Sequence, residues 1–401
     1  MTMTVRTGPI RYATAARFAP PVAVSEQTPS SGEISPQPPS RLDHVMGPPR
    51  ERIPQGEDCL NLTISTPGLD DGHRPVLVWL HGGGFSSGGG LLEWYDGGAL
   101  TAEGDLVVVG VNYRLGAFGY LYLDGVSPGN LGPADQLEAL RWVRANIAAY
   151  GGDPDNVTVA GQSAGGISIR LLMEMPEARG LFRRAILQSA PLGLAARQPA
   201  HAAQVGRVFA DALGSDPRTA GITEILAAHK ETALTNLRLT GNPMEPAFVP
   251  VDTLDKGSFA DNVSDLDVLY GWNADDMTAF PGAQGTDEIY AEPLAALGDR
   301  LRDAGAVVRS YRLDWRPEGS EFGATHCLEL PLLLGTQRAW QDSPMLGKVP
   351  WPEVDAFGAA LRAVWATFAR TGTLDPTPVA GHPIRFGHDE WIGSQADHQS
   401  R

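Results

Sequence analysis

Gly161-Gln162-Ser163-Ala164-Gly165 sets a serine between small residues, directly after the apolar run Asn156-Val157-Thr158-Val159-Ala160 and before Gly166-Ile167-Ser168-Ile169. A strand, G-x-S-x-G and a helix in that order make a nucleophile elbow, a turn so tight that only small neighbours fit and the serine hydroxyl is pushed out above the sheet. A second apolar run, Val76 to Leu80, leads into His81-Gly82-Gly83-Gly84-Phe85. Three glycines at a strand end could be no more than a flexible loop. Glycine also lets main-chain N–H groups face a developing oxyanion with no Cβ in the way. The pairing of the two motifs favours that second reading and points to acyl transfer.

A serine hydroxyl is a poor nucleophile near neutral pH. It needs a histidine base, and the histidine needs a carboxylate to fix its tautomer. In an elbow-bearing sheet the chain order is serine, acid, histidine, the last two on loops after later strands. An apolar strand at 266–271 is followed at once by Asp275 and Asp276, and a further strand at 307–313 is followed by His326. That order selects His326 from the nine histidines. His81 heads the glycine loop and is expected to hold a structural hydrogen bond. His44, His73, His201, His229, His382 and His388 fall in polar surroundings and are expected at the surface. Ser189 lacks the flanking glycines and reads as structural. Asp135 reads as favoured by the dipole at a helix start.

The elements that would hold these groups alternate strand with helix. Strands are predicted at 76–80, 106–111, 156–160, 184–188, 266–271 and 307–313, several of them continuous apolar runs suited to parallel strands covered on both faces. Leu60, Leu62 and Ile64 alternate with polar residues and predict a half-exposed strand. The clearest helix spans about 134–149, entering after Pro133 and stopping at Gly151-Gly152, and another crosses over at about 289–304. Residues 19–55 are rich in proline and read as a meandering arm. The alternation is interrupted at 199–262 by helices at about 200–213 and 221–237 and a proline-punctuated loop at 243–254, expected to form a lid or pocket wall over Ser163. The expected fold class is α/β, a mostly parallel central sheet with helices on both faces, in a single domain over residues 1–401 with an arm and edge strands at 1–56.

Composition narrows the partners. A net charge of −16 disfavours nucleic acid and anionic membrane surfaces, and keeps even a monomer soluble, without assigning an oligomeric state. No run of about 20 apolar residues predicts a membrane span. The first twenty residues lack the apolar centre of a signal peptide, so a cytoplasmic location is the expectation. Cys59 and Cys327 allow at most one bridge, and no His/Cys/carboxylate cluster has ligand spacing, so no metal or organic cofactor is implied.

Further motifs carry a family pattern: Glu57-Asp58-Cys59-Leu60, Asn112-Tyr113-Arg114-Leu115-Gly116, Gly129-Asn130-Leu131-Gly132, Asp135-Gln136, Gly151-Gly152-Asp153-Pro154 and Phe368-Ala369-Arg370-Thr371-Gly372. With the glycine loop and the elbow, the chain resembles the type-B carboxylesterases, the carboxylesterase and cholinesterase-like branch of the α/β hydrolases. The resemblance implies Ser163 as nucleophile, His326 as base, Gly83, Gly84 and Ala164 as oxyanion donors, and a small ester as substrate. Asp276 falls where the family has glutamate, and Asp275 is the alternative acid. Gln162 stands where the family has glutamate before the serine, and Met277 where it has glycine. Only 50 residues separate Asp276 from His326, fewer than in the family, which predicts a shallower and more open pocket. Cys59 matches a residue the family often bridges, but no partner lies at a suitable distance, so a free thiol is expected. The implied reaction is ester cleavage through an acyl-enzyme. The alternatives are amide or carbamate hydrolysis or acyl transfer with the same residues, or a silent binding module.

Overall fold

A nine-stranded sheet runs through the computed structural model, which describes residues 4–24, 29–194, 196–253 and 257–387. Its strands are β1 (Val5–Arg11), β2 (Asn61–Thr66), β3 (Arg74–Leu80), β4 (Val107–Val111), β5 (Gly152–Gln162), β6 (Arg184–Gln188), β7 (Asp267–Asn273), β8 (Val307–Leu313) and β9 (Ile384–Gly387). Across the sheet the order is β1-β2-β4-β3-β5-β6-β7-β8-β9. The six from β4 to β8 are parallel, and β1, β2 and β9 add antiparallel edges. The order reverses around β3 and β5, so the loops leaving those two strands part and open a crevice at their carboxyl ends.

The parallel strands are buried on both faces. In β3, Val76, Val78 and Leu80 join one apolar cluster while Leu77 and Trp79 join the other. The helices α1 (Leu131–Asn146), α2 (Ala164–Glu174) and α5 (Glu292–Asp303) cover the first face through Leu137, Leu140, Ile169, Leu172 and Leu294. On the second face, α6 (Trp351–Thr371) presents Val354, Phe357, Leu361, Val364, Trp365 and Phe368, a stripe at helical spacing. This helix is absent from the sequence reading, although Pro350 and Pro352 at its start and Gly372 at its end mark it. Two further helices, α3 (Pro199–Leu213) and α4 (Ile222–Thr240), pack on each other around a third cluster with Phe85, Phe118, Tyr120, Ile167, Phe209 and Phe248.

Three expectations are corrected. Every residue of β2 is buried rather than alternately exposed. The polar positions are covered by loops that bond them: Asn61 Nδ2 donates to Glu33 O at 2.9 Å, and Ser65 Oγ to Asp96 O at 3.1 Å. Asp135 does not cap a helix start; α1 begins at Leu131, and the fully buried Asp135 receives Arg114 Nε at 2.8 Å and Nη2 at 2.7 Å. A buried carboxylate is retained only when its oxygens are bonded in this way. His229 is buried on α4 against the edge of Phe248, ring centroids 4.7 Å apart, and burial lowers its pKa to about 4. His388 lies outside the described residues.

Candidate active site

Ser163 sits between the end of β5 and the start of α2 with φ +57° and ψ −121°, a conformation that L-residues other than glycine rarely hold. Its neighbours enforce the turn. A Cβ on Gly165 would lie 2.0 Å from Leu80 O, so nothing larger than glycine fits there. The Ser163 amide is tied to Gln188 O at 2.9 Å, which anchors the turn to β6. The side chain emerges, 9% exposed, into a cavity of about 390 Å³.

Gly83, Gly84 and Ala164 line that same cavity. Among the described residues their N–H groups reach no protein acceptor. For Ala164 this follows from its place as first residue of α2, where the amide has no partner one turn back. Gly83 and Gly84 hold φ +108° and +60°, and the Gly83 carbonyl accepts from the amides of Ser86 and Ser87 at 3.1 Å each, which fixes the loop. Three main-chain donors without acceptors therefore border the cavity that receives the serine. His81, behind the loop, joins its Nδ1 to Gly82 O at 2.7 Å and stacks on Tyr113 with centroids 4.4 Å apart. Burial lowers its pKa to about 4, and it does not line the cavity.

The acid and the histidine meet on the far side. Asp276 follows β7, and His326 lies in the loop after β8; both are fully buried. His326 Nδ1 is 2.8 Å from Asp276 Oδ1, and Asp276 Oδ2 accepts the Asn273 amide at 2.8 Å. Asp275 turns the other way, accepting Arg316 Nη2 at 2.9 Å and the Ala324 amide at 2.8 Å. With Asp276 taking the Nδ1–H, the Nε2 lone pair is left free to accept. Its partner is the Gln162 amide, at 3.0 Å, and not the neighbouring serine. Phe280 and Tyr290 pack on the His326 ring at 5.4 and 5.5 Å and also line the cavity with Ser163.

A buried carboxyl stands behind this pair. Glu329 Oε2 accepts Asn273 Nδ2 at 2.6 Å, while Oε1 has no partner among the described residues. Burial foremost, and then the nearby Asp276, push its pKa up to about 7. Asn273 thus joins two carboxyl groups, by its main chain to Asp276 and by its side chain to Glu329.

A model of the carboxylesterase family matches residues 8–285. A probable N-octanoylanthranilate hydrolase of Rhodococcus erythropolis is 41% identical over 96% of this chain and 94% of its own length. The para-nitrobenzyl esterase of Bacillus subtilis is 32% identical over 85% of this chain and 79% of its own. A solved PNB esterase structure superposes with a TM-score of 0.83 at 28% identity, covering 97% of this chain and 94% of that one. The chain belongs to the carboxylesterase family. It is a carboxylic ester hydrolase with an α/β-hydrolase fold.

Within this carboxylesterase, Ser163, Gly83, Gly84 and Ala164 come together at one cavity, and His326 pairs with Asp276 behind Phe280 and Tyr290, which line it. The residues missed in sequence are Gln162 and Glu329 as neighbours of the histidine. Gln162 is one residue from the serine, so the alternating direction of strand side chains could have placed it beneath the site. Glu329 carries no signal beyond being three residues after His326. Among the described residues, no helix is long and apolar enough to cross a membrane.

Proposed function

We propose that this carboxylesterase cleaves esters through an acyl-enzyme formed on Ser163, with His326 as base and Asp276 as the carboxylate that holds it. The reading rests above all on the three amides of Gly83, Gly84 and Ala164, which lack acceptors and share the cavity of a strained, outward-facing serine. The Gln162 amide first yields His326 Nε2 to the serine hydroxyl by a side-chain rotation. His326 then takes the hydroxyl proton as Ser163 Oγ attacks the ester carbonyl. The oxyanion is held by the three amides, and His326 returns the proton to the leaving alcohol. Water repeats the sequence to release the acid. No metal or cofactor is called on, and α4 with the loop at 242–250 serves as the wall that holds the substrate over the serine. A cytoplasmic setting suits Cys59 and Cys327, which are buried and unpaired.

A second reading, hydrolysis of N-acyl compounds by the same groups, is favoured by the relative named for an N-octanoyl substrate. The two readings share the nucleophile and differ in whether the leaving atom is oxygen or nitrogen. Treatment with a fluorophosphonate, followed by peptide mapping, is expected to find the label on Ser163. Ser163→Ala is expected to abolish labelling and to lower turnover of a small activated ester by about 10⁴-fold or more. Wild-type turnover in that variant would remove the proposed nucleophile. Matched ester and anilide substrates then rank the two readings.

A further inference from the structure

The wall of the cavity is apolar over most of its area, with Leu194, Leu234, Leu237, Met244 and Phe280 among its residues, yet it holds two cations. Arg41 comes from the N-terminal arm and Lys230 from α4. Among the described residues the one carboxylate in the lining, Glu245, is already held by Arg197, Nη2 to Oε1 at 2.7 Å. Arg197 is 5% exposed and also donates to Pro246 O at 2.8 Å, so that pair is fixed in place and offers no anion to the cavity. Among the described residues neither Arg41 nor Lys230 has a carboxylate partner; Arg41 donates to a carbonyl, Pro243 O. The histidine beside Lys230, His229, is neutral above about pH 4 and adds no charge. Two cations without a carboxylate partner among the described residues, both on exposed side chains, therefore border an apolar cavity in a chain whose net charge is −16. The distant acidic surface is screened beyond about 8 Å at physiological salt, so the local cations set the potential that a bound molecule meets.

We propose that Arg41 and Lys230 form a subsite for a carboxylate on the substrate, so that the preferred esters are amphiphilic acids rather than neutral molecules. The assignment rests on the esterase reading above and refines its substrate class. A neutral apolar ester would fill the cavity but leave both cations without a counter-charge. An ester with a carboxylate away from the scissile bond would supply it while its hydrocarbon covers the leucines. Because Arg41 belongs to the arm and Lys230 to α4, the substrate would also tie those two segments together over the serine.

The test measures kcat/KM on two matched pairs with the whole protein. The first pair places the carboxylate on the acyl side: the 4-nitrophenyl monoester of adipic acid against its methyl-capped form. The second places it on the alcohol side: the butyryl ester of 3-hydroxybenzoate against that of its methyl ester. The wild type is expected to prefer the acid in at least one pair by about tenfold, with the preference carried by KM and shrinking between 50 and 500 mM salt. The pair that responds tells which half of the substrate reaches the cations. Arg41→Gln and Lys230→Gln together should bring that ratio close to one, and Lys230→Glu should reverse it. A wild-type ratio at or below one in both pairs, or a ratio unchanged in the double variant, overturns the subsite. If none of the four esters is turned over and fluorophosphonate leaves Ser163 unlabelled, the esterase reading fails and the subsite goes with it.

Discussion

The floor of the cavity and its wall are built in opposite ways. The floor is made of strand ends, the elbow after β5 and the glycine loop after β3, with Asp276 and His326 buried behind it after β7 and β8. Its geometry is carried by main chain and by side chains that are fully buried, as with His326 and Asp276. The wall is made of the arm at Pro38–Leu42, helix α4 and the loop around Pro243–Pro246, and it keeps Leu234 and Leu237 about 40% exposed. A floor held by backbone and buried hydrogen bonds tolerates no change of shape. A wall whose side chains already face solvent can change composition without unfolding the sheet. Substitutions in the floor should therefore remove chemistry, and those in the wall should alter preference.

The largest effects are expected at the acid and the histidine. His326→Ala should lower kcat by about 10⁴-fold, and Asp276→Asn by about 10³–10⁴-fold by spoiling the tautomer. Asp275→Asn, one residue away, should leave kcat within a fewfold because that carboxylate serves Arg316. Steady-state kinetics on one activated ester decides it. Equal losses for the two aspartates would mean that the turn, and not the contact with His326, is what matters.

Next comes a contrast inside the glycine loop. A Cβ on Gly83 would stand 2.0 Å from Ser87 O, at a φ of +108° closed to other residues, so Gly83→Ala must displace the loop. Losing the alignment of one oxyanion donor costs about 10²–10³-fold in kcat. At Gly84 the nearest atom is Pro246 Cγ at 3.7 Å, so Gly84→Ala meets only the left-handed strain of φ +60°, about 1–2 kcal/mol. Its kcat should fall less than tenfold. If both variants lost activity alike, the floor's rigidity would not come from local packing.

These contrasts also mark how much the sequence discloses. The elbow and the glycine loop were readable because each is a local device: a few small residues at a strand end dictate one backbone shape. The pairing of His326 with Asp276 was readable through chain order, since the sheet carries the loops after β7 and β8 to the same end. The choice between Asp275 and Asp276 was not, because a one-residue step in a turn reverses which side chain faces inward. Neither was the pairing of Asp135 with Arg114, or the burial of His229, since both depend on what packs against them from distant parts of the chain. Gln162 against His326 is of the same kind, a contact across 164 residues.

Glu329 tests the buried side of the floor by stability. Its pKa is raised from 4.5 to about 7, so between those values the folded protein holds a proton that the unfolded chain has released. The unfolded state then binds fewer protons, and this group's contribution to stability falls as pH rises through that window. Glu329→Gln keeps the acceptor for Asn273 and removes the titration. Relative to wild type, the variant should gain about 2–3 kcal/mol in unfolding free energy between pH 5 and pH 8. Urea melts of both proteins at the two pH values measure it. A difference that stays constant with pH would mean that Glu329 is ionised and compensated in the fold.

The smallest effects belong to the wall. Leu234 and Leu237 are on α4, one and two turns after Lys230, and both border the cavity. Each methylene of an acyl chain that leaves water there is worth about 0.8 kcal/mol, near fourfold in binding. If the chain lies along these leucines, replacing both with serine should flatten the dependence of kcat/KM on acyl length, by a fewfold per two carbons. The rate on an acetyl ester, too short to reach them, gives the baseline for the series. Thermal unfolding should shift little, because side chains already about 40% exposed contribute little to the core. A flat acyl-length series in the wild type would move the chain elsewhere in the cavity. A large drop in melting temperature would mean that α4 is part of the rigid frame, and the distinction between a floor for chemistry and a wall for preference would then fail at its weakest point.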